Sequence, residues 1–248
     1  MTSSDPHGAT RLSSARHQLE SGGVVTYLHE AVQEMWRANL DRYEPDDLYD
    51  DSVTLGMGSA RNLNNRVRIE VPRDEALTRA GVHIQVEHNA VVVRTSAGNL
   101  RLVKAPLKSR RSPNFGTDFR WNDTEGRLLA AQRNAAMYSP SPLFGPGDTL
   151  FDSPEDSDAG KAIERCRDIF VVWAGELESG LTAGWLGLPT VGALPFIAVT
   201  QIWRDEPLQS SGAEPVPVDP SGDATFGNRP APMPIVTLKP RSKEEKTP

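Results

Sequence analysis

VHIQVEHNAVVVRTSAGNLRLVKA, residues 82–105, is the stretch whose reading decides the fold. VHIQVE (82–87) alternates apolar with polar residues, AVVVRT (90–95) is rich in β-branched residues, and LRLVKA closes the run at Ala105. The spacers, His88-Asn89 and Ser96-Ala97-Gly98-Asn99, are short and carry Asn and Gly. Parallel neighbours need a crossover of about a dozen residues or more, so these spacers predict an antiparallel meander. A second block repeats the grammar without repeating the residues. IFVVWAGE (169–176), LTAGWLGL (181–188) and PFIAVTQIW (195–203) are joined through a Ser179-Gly180 turn and carry Trp173, Trp185 and Trp203, one per strand. Two antiparallel β units, about 82–105 and 169–203, flanked by helices, predict a single α+β domain and not a parallel βαβ sheet.

Helical periodicity surrounds these units. Val24, Val25, Leu28, Ala31, Val32, Met35, Trp36 and Leu40 recur at three- and four-residue steps after Gly22-Gly23, the pattern of an amphipathic helix. A second helix is expected from Asp123 or Thr124 to about Tyr138, and a short one within 59–80 before Pro72. The residues just before Gly56, Val53-Thr54-Leu55, read as a short apolar strand. Residues 1–18 are small and polar and read as a disordered leader, 139–160 as an acidic Pro/Gly/Asp linker, and 205–248, with nine prolines, as a disordered tail. The expected body is 20–204.

Composition narrows the class. No run approaches the roughly 20 apolar residues of a membrane span, and MTSSDPHGATRLSSARHQLE lacks the apolar segment of a signal peptide. The expectation is a soluble, cytoplasmic protein with no membrane partner. The single cysteine, Cys166, excludes an internal disulfide and a multi-thiolate metal site within one chain. Flanked by Arg165 and Arg167, its thiol is open to a lowered pKa, but a helix residue packed on the second β unit is the simpler reading.

Charge is distributed unevenly. Formal net charge is −6 over 1–60, +7 over 61–137 and −7 over 138–248. In the basic middle, Arg101, Lys104, Lys108, Arg110, Arg111 and Arg120 are interleaved with Phe115, Phe119 and Trp121. Cations displace counterions from phosphates and aromatic faces stack unpaired bases, so this mixture marks a binding site for nucleic acid or an acidic protein partner. The competing reading is a solvated loop clamped by the acidic segments at 41–51 or 148–158.

Other constellations fall short of a chemistry. DRYEPDDLYDDS (41–52) supplies carboxylates and Lys104 a lysine, as a magnesium-dependent nuclease needs, but no acid stands two residues before a strand lysine. His29-Glu30 is not a zincin motif, because Gln33 stands where the second histidine ligand belongs. His83 and His88 have no thiol or carboxylate at ligand spacing, and in Gly56-Met57-Gly58-Ser59-Ala60-Arg61 an arginine replaces the third glycine of a nucleotide turn. No catalytic residue, metal ligand or cofactor is assigned. The reading is a nonenzymatic binding or regulatory protein acting through its basic central loop. Its alternatives are a metal-dependent nuclease-like effector, and an interaction module using the Trp-bearing β unit.

Overall fold

Both β units are present, and they fuse into one six-stranded sheet of order β1-β2-β3-β4-β5-β6. The strands are β1 His83–Glu87, β2 Ala90–Arg94, β3 Asn99–Lys104, β4 Asp168–Gly175, β5 Thr182–Pro189 and β6 Phe196–Arg204. Every neighbouring pair is antiparallel except β3 and β4, which run parallel from Asn99↔Asp168 to Lys104↔Trp173. That pair corrects the expectation of two separate units. This computed structural model describes residues 5–88, 90–138 and 158–207, so most of the acidic linker and the tail from 208 onward lie outside the described residues. Contacts gather the chain up to Pro207 into one unit.

Strand alternation sorts the sheet into two unlike faces. One face, with Val91, Val93, Leu100, Leu102, Ile169, Val171 and Trp173, packs beneath α1 (Pro6–Ser21), α2 (Val24–Leu40), α3 (Ser52–Glu70) and α6 (Asp158–Glu164). The other, with Val103, Phe170, Val172, Trp185 and Phe196, packs beneath α5 (Glu125–Met137) and aromatic residues of 115–121. Trp173, Trp185 and Trp203 are all buried. Among the described residues no helix is long and apolar enough to cross a membrane.

Of the leader expected over 1–18, residues 1–4 lie outside the described residues and the part from Pro6 onward is the first helix. Asp5 caps it by accepting the N–H groups of His7 and Gly8, each at 3.0 Å, and Pro6 stands at the first helical position, where its missing N–H costs nothing. Leu12, Ala15 and Leu19 form a narrow buried stripe. Arg11 lies between the helix and the sheet and donates to the carbonyls of Ala97 (2.5 Å) and Cys166 (3.4 Å). The helix also covers the β6 edge, where Asp5 N donates to Ile197 O and Arg16 Nη1 to Gln201 O, so that edge is not left open to another strand.

Val53-Thr54-Leu55, expected as strand, and the stretch 59–80, expected to hold one short helix, are the long helix α3 followed by the short α4 (Glu75–Arg79). Asp51 caps α3 through Thr54 N at 2.6 Å, and Leu55, Ser59, Leu63 and Val67 recur every four residues on its buried side. A cap and a four-residue stripe override the strand propensity of one Val-Thr-Leu run. Cys166 follows α6 and is not within it. Its thiol is buried, and burial pushes its pKa up to about 11 against the opposing pull of Arg11.

Leu12→Ala is expected to destabilise the protein by about 2–5 kcal/mol, the range for truncating a fully buried leucine. Urea unfolding measures it, and a loss under about 1 kcal/mol would show that α1 is not part of the core.

Candidate binding site on the basic segment

The segment that follows β3 is built from the inside out. Pro106 ends the strand, Leu107–Ser109 make a single 3-10 turn, and Ser112 N donates to Ser109 O at 3.0 Å, closing a turn centred on Arg110 and Arg111. Arg110 adopts φ 49° and ψ −124°, the first central position of a type II′ turn, where glycine is the usual residue. The Asp118 carboxylate then ties the segment together. It accepts Ser109 Oγ at 2.6 Å and Asn114 N at 2.9 Å, and the serine bond leads the effects that hold its pKa below the usual range.

Three aromatics fix this segment to the sheet. Phe115, Phe119 and Trp121 pack with Phe170, Trp185 and Phe196 at ring-centroid separations of 4.9–5.6 Å, edge to face, the arrangement favoured by ring quadrupoles. Trp121 Nε1 donates to Thr190 O (3.1 Å) and Pro195 O (3.0 Å), which ties the segment to the β5–β6 hairpin. Phe119 and Trp121 are 7 % and 5 % exposed, and Phe115 is half-buried. None of the three is a free stacking platform, contrary to their expected role.

The cations divide into spent and unspent. Arg101 is a strand residue, 3 % exposed, beneath α5. It donates to Glu87 and lies 3.8 Å from Asp168, which also takes a two-point bond from Arg133. Arg101 Nη1 has no hydrogen-bond partner among the described residues and faces Gly126. Lys104 is half-buried on the opposite face, with Nζ 5.1 Å from the ring centroids of both Trp36 and Trp173. Burial pushes its ammonium down to about 8, while the two indole faces favour the charged form and oppose that shift. Arg111 donates to Glu176 Oε2 (3.3 Å) and to the backbone carbonyl of Asp205.

Arg101, Lys104 and Arg111 are therefore structural, and the expectation that they form one patch with the loop cations is corrected. β3 alternation sends Arg101 and Lys104 to opposite faces, and the Arg111 side chain is taken up in bonds to the β4–β5 hairpin and the end of β6. Lys108, Arg110 and Arg120 remain exposed. Among the described residues Lys108 and Arg120 have no ion-pair partner, and Arg110 has only the exposed Glu178 at 3.6 Å. No carboxylate of 41–51 pairs with the segment. The clamping residues that do appear, Glu176 and Glu178, belong to the β4–β5 turn.

Arg120 opens onto a cleft of about 440 Å³ between the segment and the β5–β6 turn. Phe119, Trp121 and Leu128 line it from one side, and Thr190, Val191, Gly192, Ala193 and Pro195 from the other. Its lining contains no Asp or Glu. The 190–195 half was missed in the sequence, where it reads only as the connection before the last strand. The pairing of Trp121 with its two carbonyls is a tertiary contact with no local signal.

Asp205, where β6 ends, anchors this end of the sheet. It accepts His29 Nε2 (2.6 Å), Gln33 Nε2 (2.8 Å), Thr182 N (2.7 Å) and Thr182 Oγ1 (2.8 Å). Burial raises its pKa, but the bonds from His29, Thr182 and Gln33 together outweigh burial and hold it below its ordinary value. Among the described residues no three His, Cys, Asp or Glu side chains come together as cation ligands. Family models, curated proteins and solved structures give no match to this chain.

Arg110→Gly removes a strain of about 1–3 kcal/mol and adds about 0.5–1 kcal/mol of unfolded-chain entropy, so the variant should be more stable by about 1 kcal/mol. A melting temperature at or below that of the parent would show that the turn is not strained. Asp205→Asn should destabilise the protein at neutral pH and also flatten its acid limb. The stabilisation from a carboxylate with a lowered pKa is complete above its ordinary value of 3.8 and is lost as pH falls through the lower folded value. Urea midpoints between neutral pH and pH ~3 measure both effects.

Proposed function

We propose that this is a nonenzymatic binding protein whose 106–122 segment engages an acidic protein partner through Lys108, Arg110 and Arg120, with a partner carboxylate seated beside Arg120 in the cleft. One observation carries the reading: the aromatics of the segment are locked inward while these three cations point outward on a fixed backbone. Rigid presentation lowers the ordering cost of binding, and unpaired rim cations favour partners of opposite charge. The cleft is within the size range of ligand sites, and Val191 and Leu194, 42 % and 45 % exposed, supply apolar contact in the adjoining turn.

The same observation favours an acidic protein over nucleic acid. Single-stranded recognition relies on accessible ring faces, and Phe119 and Trp121 offer almost none. A duplex would also meet a chain with formal net charge −6. The Trp-bearing unit gives no support to an interaction surface of indoles, since all three are in the core.

Fluorescence anisotropy with a labelled Glu/Leu peptide, a single-stranded oligonucleotide and a DNA duplex tests the proposal. The peptide is expected to bind, and Lys108→Glu with Arg120→Glu to weaken it by about tenfold or more, with the melting temperature unchanged because exposed charges contribute little to stability. Tighter binding of either nucleic acid, with log affinity falling at a slope of about −0.7 to −0.9 per phosphate, would replace the acidic partner with a polyanion. Absence of binding to all three probes at low salt would end the reading.

A further inference from the structure

Leu48, Tyr49, Val53 and Met57 are 68 %, 87 %, 63 % and 70 % exposed, the four most exposed large apolar side chains among the described residues. They fall within ten consecutive residues, on the α2–α3 connection and the first turns of α3. The fold does not account for them. α3 buries Leu55, Ser59, Leu63 and Val67, while Val53 and Met57, one turn apart, lie on its far side. Tyr49 is held at φ 56°, a left-handed conformation that costs energy for a residue with a Cβ, inside a turn closed by Leu48 N to Glu44 O at 3.1 Å and Glu44 N to Asp50 Oδ2 at 3.2 Å. The connection thus displays a tyrosine and a leucine to solvent from an ordered turn.

The electrostatic surroundings narrow the occupant. Asp41, Glu44, Asp46, Asp47, Asp50 and Asp51 stand against the single cation Arg42 in this connection, and none of the six carboxylates is in an ion pair among the described residues. An anionic surface carrying an apolar ridge repels nucleic acid and acidic lipid. It complements a segment that is apolar on one stripe and cationic beside it. Val53 and Met57 form an i, i+4 ridge, the unit that interdigitates with another helix.

We propose that residues 48–57 form a docking surface for a basic amphipathic helix of a partner protein, with Leu48, Tyr49, Val53 and Met57 against its apolar stripe and the 41–51 carboxylates against its lysines or arginines. The surface shares no residue with the 106–122 segment, is opposite to it in charge and is tested with a probe of opposite charge, so the inference stands or falls independently of the function proposed above. Val86, also exposed, lies on the edge strand β1 and lacks this acidic surround.

The test uses the full chain and two labelled leucine–lysine peptides of equal composition, one with leucines at helical spacing and one scrambled. The amphipathic peptide should bind about tenfold or more tighter than the scrambled one, and Val53→Ser with Met57→Ser should abolish most of that difference. Asp46→Asn with Asp47→Asn should weaken binding and flatten its salt dependence, since neither carboxylate has a structural bond. Val86→Ser, which removes an exposed apolar residue elsewhere, should leave binding unchanged. All variants should melt with the parent. Equal binding of the two peptides, or retention of binding by the Val53/Met57 variant, overturns the proposal. So does a concentration-dependent dimer in sedimentation that the same variant dissolves, which would give the face to a second copy of this chain.

Discussion

The parallel pairing of β3 with β4 is the constraint from which the rest of the structure follows. Two antiparallel meanders joined by a parallel β3–β4 pair require the chain to leave the end of β3 and come back to the end of the sheet where β3 began. Residues 105–138 cover a sheet face that would otherwise be bare, and Asn134 Nδ2 donates to Asp168 O at 2.8 Å where β4 begins. The seam is also where backbone approaches most closely: Gly98, at φ 147°, leaves no room for a Cβ against Arg167 O, and Asn99 N donates to that same carbonyl at 2.7 Å. A side chain at position 98 would push the two meanders apart at the point where they join.

What the crossover carries is dictated by the face it covers. The helix-covered face is mainly aliphatic, with Trp36 and Trp173 meeting edge to face and Gly175 packed directly against the Trp36 ring. The second face is shallower and is filled by aromatics from the strands and from the crossover itself. Planar rings let an irregular segment bury much apolar area with few residues. Once Phe119 and Trp121 are committed inward, Arg120 between them has only solvent to face. Arg120 is thus displayed as a consequence of packing, Lys108 and Arg110 are carried outward by the turn before it, and the cleft is the gap left where this segment and the β5–β6 turn meet around Trp121.

Legibility in the sequence followed the range of the interactions. The strands, α2 and α5 were readable because their signals are periodic and local. α1 was not, since its buried stripe is only Leu12, Ala15 and Leu19 among polar residues, although Asp5-Pro6 is a recognisable helix start. In α3 the four-residue recurrence of Leu55, Leu63 and Val67 was interrupted by a buried serine, Ser59, which hid the helix behind a short β-like run. The site was legible only in part. The basic–aromatic mixture marked the right segment, but composition cannot say which way each residue points. Strand alternation carries the missing information for Arg101 and Lys104, since Leu100, Leu102 and Lys104 share one face and Arg101 and Val103 the other. The parallel pairing had no local signal.

The same logic explains why opposite charges close in sequence do not neutralise each other in space. Part of the positive charge of the middle third is consumed where it is made: Arg66 by Glu34 and Glu70, Arg94 and Arg101 by Glu87, Arg133 by Asp168, and Arg111 by Glu176. Those pairs use carboxylates from α2, α3, β1, β4 and the turn after β4, and none from 41–51. The acidic connection precedes α3, whose buried side packs against β2 and β3, and Leu107 at the start of the basic segment joins that same core, while Phe115, Phe119 and Trp121 pack on the face covered by α5. Among the described residues two charge sets have no ion-pair partner and stand with exposed apolar residues: Arg120, which shares a cleft lining with Val191, and Asp46 and Asp47, which adjoin Leu48, Tyr49, Val53 and Met57 in the chain. Both follow from packing, since the carboxylates and guanidinium groups that do pair in Arg66–Glu70, Arg101–Glu87 and Arg133–Asp168 belong to strands and helices.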